Sequence, residues 1–248
     1  MIPKIIHYCW FGGKPLPKLA EKCIRSWKKF LPDYEIKRWD ESNFDVRRNA
    51  YVSEAYDARK FAFVSDFARY WILFNEGGVY LDTDVELVRP IDDIIASGAF
   101  MGCERKHSPL YAPAALGVNT GLGFAAPKGM PFIAEMLGSY EYRRFVLLDG
   151  SLDLTTVVQV TSDMLCRYGL KNVPDIQSVA GFNIYPQDYF NPMQGTERKV
   201  VLTENTRSIH HADASWQTPY IRFKKNFRAF LGPSIMGCIN RFRNLLKK

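Results

Sequence analysis

Acidic residues are absent from the last 30 positions of this 248-residue chain, Pro219–Lys248. That stretch instead carries eight cations: Arg222, Lys224, Lys225, Arg228, Arg241, Arg243, Lys247 and Lys248. The whole chain has a formal charge of +7, so residues 1–218 are close to neutral. A nucleic-acid binder would spread a basic face over its fold, and this body does not. No run of 18 apolar residues occurs, so no membrane-spanning helix is expected. The opening "MIPKIIHYCWFGG" lacks the sustained apolar stretch of a signal peptide. The five cysteines (Cys9, Cys23, Cys103, Cys166, Cys238) include no C-x-x-C pair. Free thiols in a reducing, cytoplasmic compartment are therefore expected rather than a disulfide scaffold. Internal repeats, low-complexity blocks and linkers are also missing before Pro219. What is present is a 47% hydrophobic body, enough for a sizeable core. The expected division is a domain over 1–218 and a tail over 219–248.

Periodicity then orders the elements. Ile2–Tyr8 is apolar and β-prone, and "GGKPLP" is a turn. Leu19, Cys23, Ile24 and Trp27 recur at helical spacing in 18–30, and "YEIKRWD" (34–40) alternates like a strand. Phe61, Val64, Ala68 and Ile72 form one stripe of a helix expected over Ala58–Asn75. Glu76-Gly77-Gly78 stops it, since glycine just past a helix accepts positive φ without a Cβ clash. Val79-Tyr80-Leu81 reads as a short buried strand, and 130–139 and 155–168 as helices. The β-α-β-α-β order predicts an α/β fold with a mostly parallel, Rossmann-like sheet between helices. Ligands gather at the C-terminal ends of such strands.

At that edge lies "LDTDVE". Strand alternation would place Asp82 and Asp84 on one face, with Thr83 turned away. Two neighbouring carboxylates repel unless a cation sits beside them, and Mg²⁺ or Mn²⁺ takes such groups together with phosphate oxygens. On the preceding helix Asp66 and Arg69 stand three residues apart, on one face. Their surroundings, Phe61, Val64, Phe67, Trp71 and Ile72, are apolar, where charges are paired or functional. Trp10 ends the first strand before Gly12-Gly13, placed either in the core or to stack on a base. In "SIHHADASW", His210 or His211 would complete a carboxylate site.

Taken together, "IPKIIHYCWFGG", "FVSDFARYWILFNEGGVYLDTDVE" and "SIHHADASW" resemble the Asp-x-Asp sugar-binding-region glycosyltransferases (glycosyltransferase family 32). That group includes capsule, O-antigen and mannosyltransferase enzymes, and the clostridial glucosylating toxins are more distant relatives. The likeness runs from residue 2 to about 216 and is densest over 58–90. It implies a GT-A type single domain, a nucleotide-sugar donor, Mn²⁺ or Mg²⁺, and retention of anomeric configuration. Carried residue by residue, it implies Trp10 against the nucleobase, and Ser65, Asp66 and Arg69 around the donor's sugar. Tyr80 and Asp82 would meet the ribose–diphosphate, and Asp84 the metal, with Asp82 and His210 beside it. Asn119 in "GVNTGLGFAAP" would face the transferred sugar, and Ser215 and Trp216 would close over the diphosphate. Asp66, Arg69 and Asp84 would carry catalysis. UDP-galactose or UDP-N-acetylglucosamine is the expected donor, with GDP-mannose as the alternative. The acceptor would be a glycan or a polyprenyl-linked saccharide of surface polysaccharide. "HHADASW" departs from the group, which more often has an aromatic or Gly within that stretch.

Two competing readings are weaker. Haloacid-dehalogenase phosphatases also use Asp-x-Asp, but they want Thr or Val where this chain has Glu86, and they place the motif near the N-terminus. A nucleotide-sugar-binding protein without turnover would not need Asp82, Asp84 and Arg69 intact. The tail repeats an apolar stripe (Tyr220, Phe223, Phe227, Leu231, then Ile235, Ile239, Phe242, Leu246) around Gly232-Pro233. With cations on its other faces it reads as a basic amphipathic helix. The expected setting is peripheral, on the anionic inner face of the cell membrane.

Overall fold

The computed structural model describes residues 1–108, 112–194 and 199–212. Ser215, Trp216 and the 219–248 tail lie outside the described residues. In chain order the first half comprises β1 (Ile5–Cys9), α1 (Lys18–Phe30), β2 (Glu35–Trp39), α2 (Ala50–Asp57), α3 (Phe61–Glu76), β3 (Gly78–Tyr80), β4 (Val85–Leu87), α4 (Asp92–Ala96) and β5 (Phe100–Cys103). Then follow β6 (Val118–Ala126), α5 (Pro131–Glu141), α6 (Val157–Arg167), β7 (Gln177–Val179), β8 (Phe182–Tyr185), α7 (Gln187–Phe190), β9 (Met193–Gln194), β10 (Lys199–Val200) and β11 (Ser208–His210).

Seven strands form the central sheet in the order β2-β1-β3-β6-β5-β8-β7. The α/β class stands, but the sheet is mixed rather than mostly parallel. Pairs β1–β2, β1–β3 and β5–β8 are parallel. Pairs β3–β6, β5–β6 and β7–β8 are antiparallel. The cause is β6, which inserts between β3 and β5 against both. All nine of its residues are buried, so its sequence shows no in–out alternation from which a direction could be read.

Alternate strand residues feed two cores. Ile6, Tyr8, Val79, Phe100 and Leu122 pack with Cys23 and Trp27 of α1 on one face. Cys9, Tyr80, Met101 and Phe124 pack with α2, α3, α5 and α6 on the other. α3 starts at Phe61, not at Ala58. A separate α2, capped by the Asn49 side chain on the Val52 N–H at 2.9 Å, comes first. Arg59 breaks the two with φ 55°. Gly77 ends α3 with φ 68°, as the sequence predicts.

His7, fully buried on β1, joins three elements. Its Nδ1 lies 3.1 Å from Trp39 Nε1 and its Nε2 lies 2.9 Å from the Gly77 carbonyl. An indole N–H can only donate and a carbonyl can only accept. The ring is therefore neutral, with its proton on Nε2. Gly78 is required here, because a Cβ would come within 2.9 Å of that nitrogen.

Candidate active site

Asp82 and Asp84 do not lie on a strand. β3 stops at Tyr80, and the next four residues form a turn into β4. Single hydrogen bonds pin that turn: Leu81 N–H donates to the His7 carbonyl (3.1 Å), Asp82 N–H to the Gly121 carbonyl (2.9 Å), and Val85 N–H to the Asp82 carbonyl (3.0 Å). The two carboxylates converge all the same. β11 pairs antiparallel with β4 and sets His210 opposite Val85. One ligand atom from each of Asp82, Asp84 and His210 then lies within 4.8 Å of the others. His210 Nε2 is 3.4 Å from Asp84 Oδ1. Burial alone would lower the imidazole's pKa, but the Asp84 hydrogen bond and the Asp82 and Glu104 charges outweigh it and raise it. The next residue, His211, turns to Glu86 at 2.8 Å. Of the two histidines, His210 is the one that faces both aspartates.

Arg69 is 3% exposed and bridges two acids. Its Nη2 stands 3.0 Å from Asp66 Oδ1 and 3.1 Å from Asp82 Oδ1. Its Nε–H donates to the Ser65 carbonyl at 3.1 Å, and the guanidinium lies 4.9 Å from the Tyr80 ring centroid. This is no exposed local helix pair. Burial pushes the Asp66 carboxyl up to about 6, against the pull of Arg69. Arg69 thus pairs with Asp66 and Asp82, while Asp84 stands against His210. Two carboxylates and an imidazole with their ligand atoms facing one point fit a hard-to-borderline divalent ion such as Mn²⁺.

These residues line a cleft of about 1220 Å³, larger than the ~300–1,000 Å³ of an ordinary small-ligand pocket. Trp10, Gly12 and Gly13 form one lip; Ser65, Asp66, Arg69, Asp82, Asp84, Asn119 and His210 line the interior. Trp10 Nε1–H donates to the Lys14 carbonyl at 2.7 Å, which fixes the ring. A Cβ on Gly12 would fall 2.3 Å from the Phe61 ring, so only glycine lets the lip rest on α3. Tyr80 differs from expectation. It is 1% exposed on the central strand β3 and is not part of the lining. Its hydroxyl donates to Asp82 Oδ1 at 3.2 Å.

Two residues escaped the sequence reading. A Cβ on Gly121 would sit 1.9 Å from Asp82 Oδ2, so the Asp82 carboxylate needs glycine behind it. Glu104, just past β5, lines the cleft and accepts from Asn119 Nδ2 at 2.7 Å. Neither carries a local signal, because Glu104 meets Asn119 through the β5–β6 pairing and Gly121 meets Asp82 through the β3–β6 pairing.

Residues 17–101 match the family described as "Glycosyltransferase sugar-binding region containing DXD motif". That stretch of the chain is thus similar to a DXD glycosyltransferase region. Its relatives include "Inositol phosphoceramide mannosyltransferase 3" of Schizosaccharomyces pombe, 33% identical over 143 residues, or 55% of this chain and 36% of that protein. "Inositol phosphoceramide mannosyltransferase 1" of the same yeast is 27% identical over 84% of this chain and 68% of its own length. The chain thus spans about a third of the first relative and two thirds of the second. A solved glycosyltransferase involved in glycosylation of the major capsid of PBCV-1 shares the fold, with a TM-score of 0.50 at 12% identity over 90% of this chain and 98% of that one. Within the matched stretch the Asp-x-Asp pair is Asp82 and Asp84.

Proposed function

We propose that the chain is a metal-dependent, retaining glycosyltransferase that moves a hexose from a nucleotide sugar to a glycan or lipid-linked acceptor. The observation that carries this is the convergence of Asp82, Asp84 and His210 at the floor of a cleft that also holds Arg69. A divalent ion held by those three residues would offset the charge that builds on a departing nucleoside diphosphate. Arg69 holds Asp82 in place while Asp66 and Asn119 face the sugar, and Trp10 receives the base. No protein base is required for retention if the departing phosphate takes the acceptor's proton. Relatives named as mannosyltransferases favour GDP-mannose over the UDP-hexoses expected from sequence. Among the described residues no helix is long and apolar enough to cross a membrane. The eight cations of 219–248 would bring the enzyme to anionic lipid, each contributing about 1 kcal/mol near the surface. A thermal-shift panel of GDP-mannose, UDP-galactose and UDP-N-acetylglucosamine with Mn²⁺ tests the donor. The true donor raises Tm by mass action, and a flat panel would remove the reading.

A further inference from the structure

Two backbone hydrogen bonds anchor Glu104. Its N–H donates to the Gly117 carbonyl at 2.8 Å, and its carbonyl accepts from Asn191 Nδ2 at 2.9 Å. The side chain is therefore not needed to form the turn. It reaches instead into the cleft, where Oε1 accepts from Asn119 Nδ2 at 2.7 Å. Among the described residues Glu104 forms no ion pair, although Arg105 and Lys106 follow it in sequence. The other end of Asn119 is fixed as well: Oδ1 accepts from Gly121 N–H at 2.6 Å. Gly121 in turn takes the Asp82 N–H on its carbonyl at 2.9 Å. A hydrogen-bonded chain, Glu104–Asn119–Gly121–Asp82, thus sets this pair at a fixed place beside the Asp82–Asp84–His210 cluster. Two contacts also settle the amide's orientation, because a carboxylate can only meet Nδ2 and an N–H can only meet Oδ1.

The arrangement leaves a matched set. Asn119 Nδ2 has one hydrogen not directed at Glu104, and Glu104 has a second carboxylate oxygen. One donates and the other accepts, side by side, in the wall next to the cluster. Two adjacent sugar hydroxyls need such a set, since each hydroxyl both donates and accepts. We infer that Glu104 is a specificity-determining residue: with Asn119 it reads a pair of neighbouring hydroxyls on the transferred hexose. The inference rests on the nucleotide-sugar reading above. A sugar joined to a diphosphate held at Asp82 and Asp84 would lie beside this pair. Glu104 also supplies the charge, and hydrogen bonds to charged groups are the stronger kind.

The test is calorimetric, on the full chain with Mn²⁺, comparing wild type, Glu104→Gln and Glu104→Ala. Each is titrated with the bare nucleoside diphosphates GDP and UDP and with GDP-mannose, UDP-galactose and UDP-N-acetylglucosamine. Both variants are expected to keep the wild-type Kd for the bare diphosphate within about twofold. Each should lose about 10–100-fold in affinity for the nucleotide sugar. The Ala variant should also narrow the discrimination between sugars that share a nucleotide. If the variants weaken bare diphosphate and nucleotide sugar alike, or weaken neither, the assignment is wrong while the donor reading survives. If wild type binds no nucleoside diphosphate at all, the donor reading fails and takes this inference with it. Unchanged unfolding midpoints in both variants exclude a folding defect as the cause.

Discussion

Arg69 carries the most exacting role of any single side chain, being nearly inaccessible between Asp66 and Asp82. Taking away one partner of a buried ion pair leaves uncompensated charge, at a cost of about 3–5 kcal/mol. Arg69→Ala is therefore expected to lower the urea unfolding free energy by about that amount as well as abolishing transfer. A loss typical of an exposed helix pair, about 0.3–0.5 kcal/mol, would contradict the bridging role. Gly121 makes a complementary case. With a Cβ only 1.9 Å from Asp82 Oδ2, Gly121→Ala must displace that carboxylate. We expect Mn²⁺ affinity to fall about 10–100-fold, as for other residues that orient metal ligands. Calorimetry with Mn²⁺ alone checks it, and unchanged affinity would mean that the turn absorbs the methyl group.

At the scale of elements, β1, β2 and the end of α3 meet at His7, whose neutral form is locked by Trp39 and Gly77. Burial takes its pKa from 6.5 down to about 4. The folded state thus binds fewer protons than the unfolded one across that window, and His7 costs stability as pH falls from 6.5 to about 4. Asp66 has the opposite sign. Its carboxyl, raised from 3.8 to about 6, contributes stability that is present below 3.8 and lost as pH rises to about 6. Each window is worth on the order of 3 kcal/mol, so the two slopes oppose each other between pH 4 and 6. Thermal melts of wild type, His7→Gln and Asp66→Asn across that range check the two signs. His7→Gln should become more stable towards acid relative to neutral pH, and Asp66→Asn should show the steeper acid loss. Parallel profiles for all three would refute the assignment. Local elements such as α1 and the Gly77 stop were legible because their signals lie within one turn of chain. The turn that carries Asp82 and Asp84 was not, since it depends on hydrogen bonds from β1 and β6. The three-residue cluster was legible as residue types, but its closure depends on β11 pairing with β4 from more than 100 positions away. Glu104 and Gly121 were hidden for the same reason, and the direction of β6 was hidden by its complete burial.

Across the whole molecule, the proposed function assigns chemistry to a near-neutral body and location to a strongly basic C-terminal stretch. Deleting 219–248 is expected to abolish sedimentation with anionic liposomes and to leave transfer to a soluble acceptor analogue largely intact. Full-length protein that ignores anionic liposomes at low salt would remove the membrane role. The body's function rests on the cluster at the cleft floor, and metal-dependent diphosphate binding tests that claim most directly. Wild type and Asp84→Ala are titrated with GDP and with UDP, first in Mn²⁺ and then in EDTA. The account predicts that wild type binds one of the two diphosphates in Mn²⁺ and loses that binding in EDTA, and that Asp84→Ala binds neither under either condition. Equal affinity with and without the metal, or an Asp84→Ala variant that binds like wild type, would contradict it.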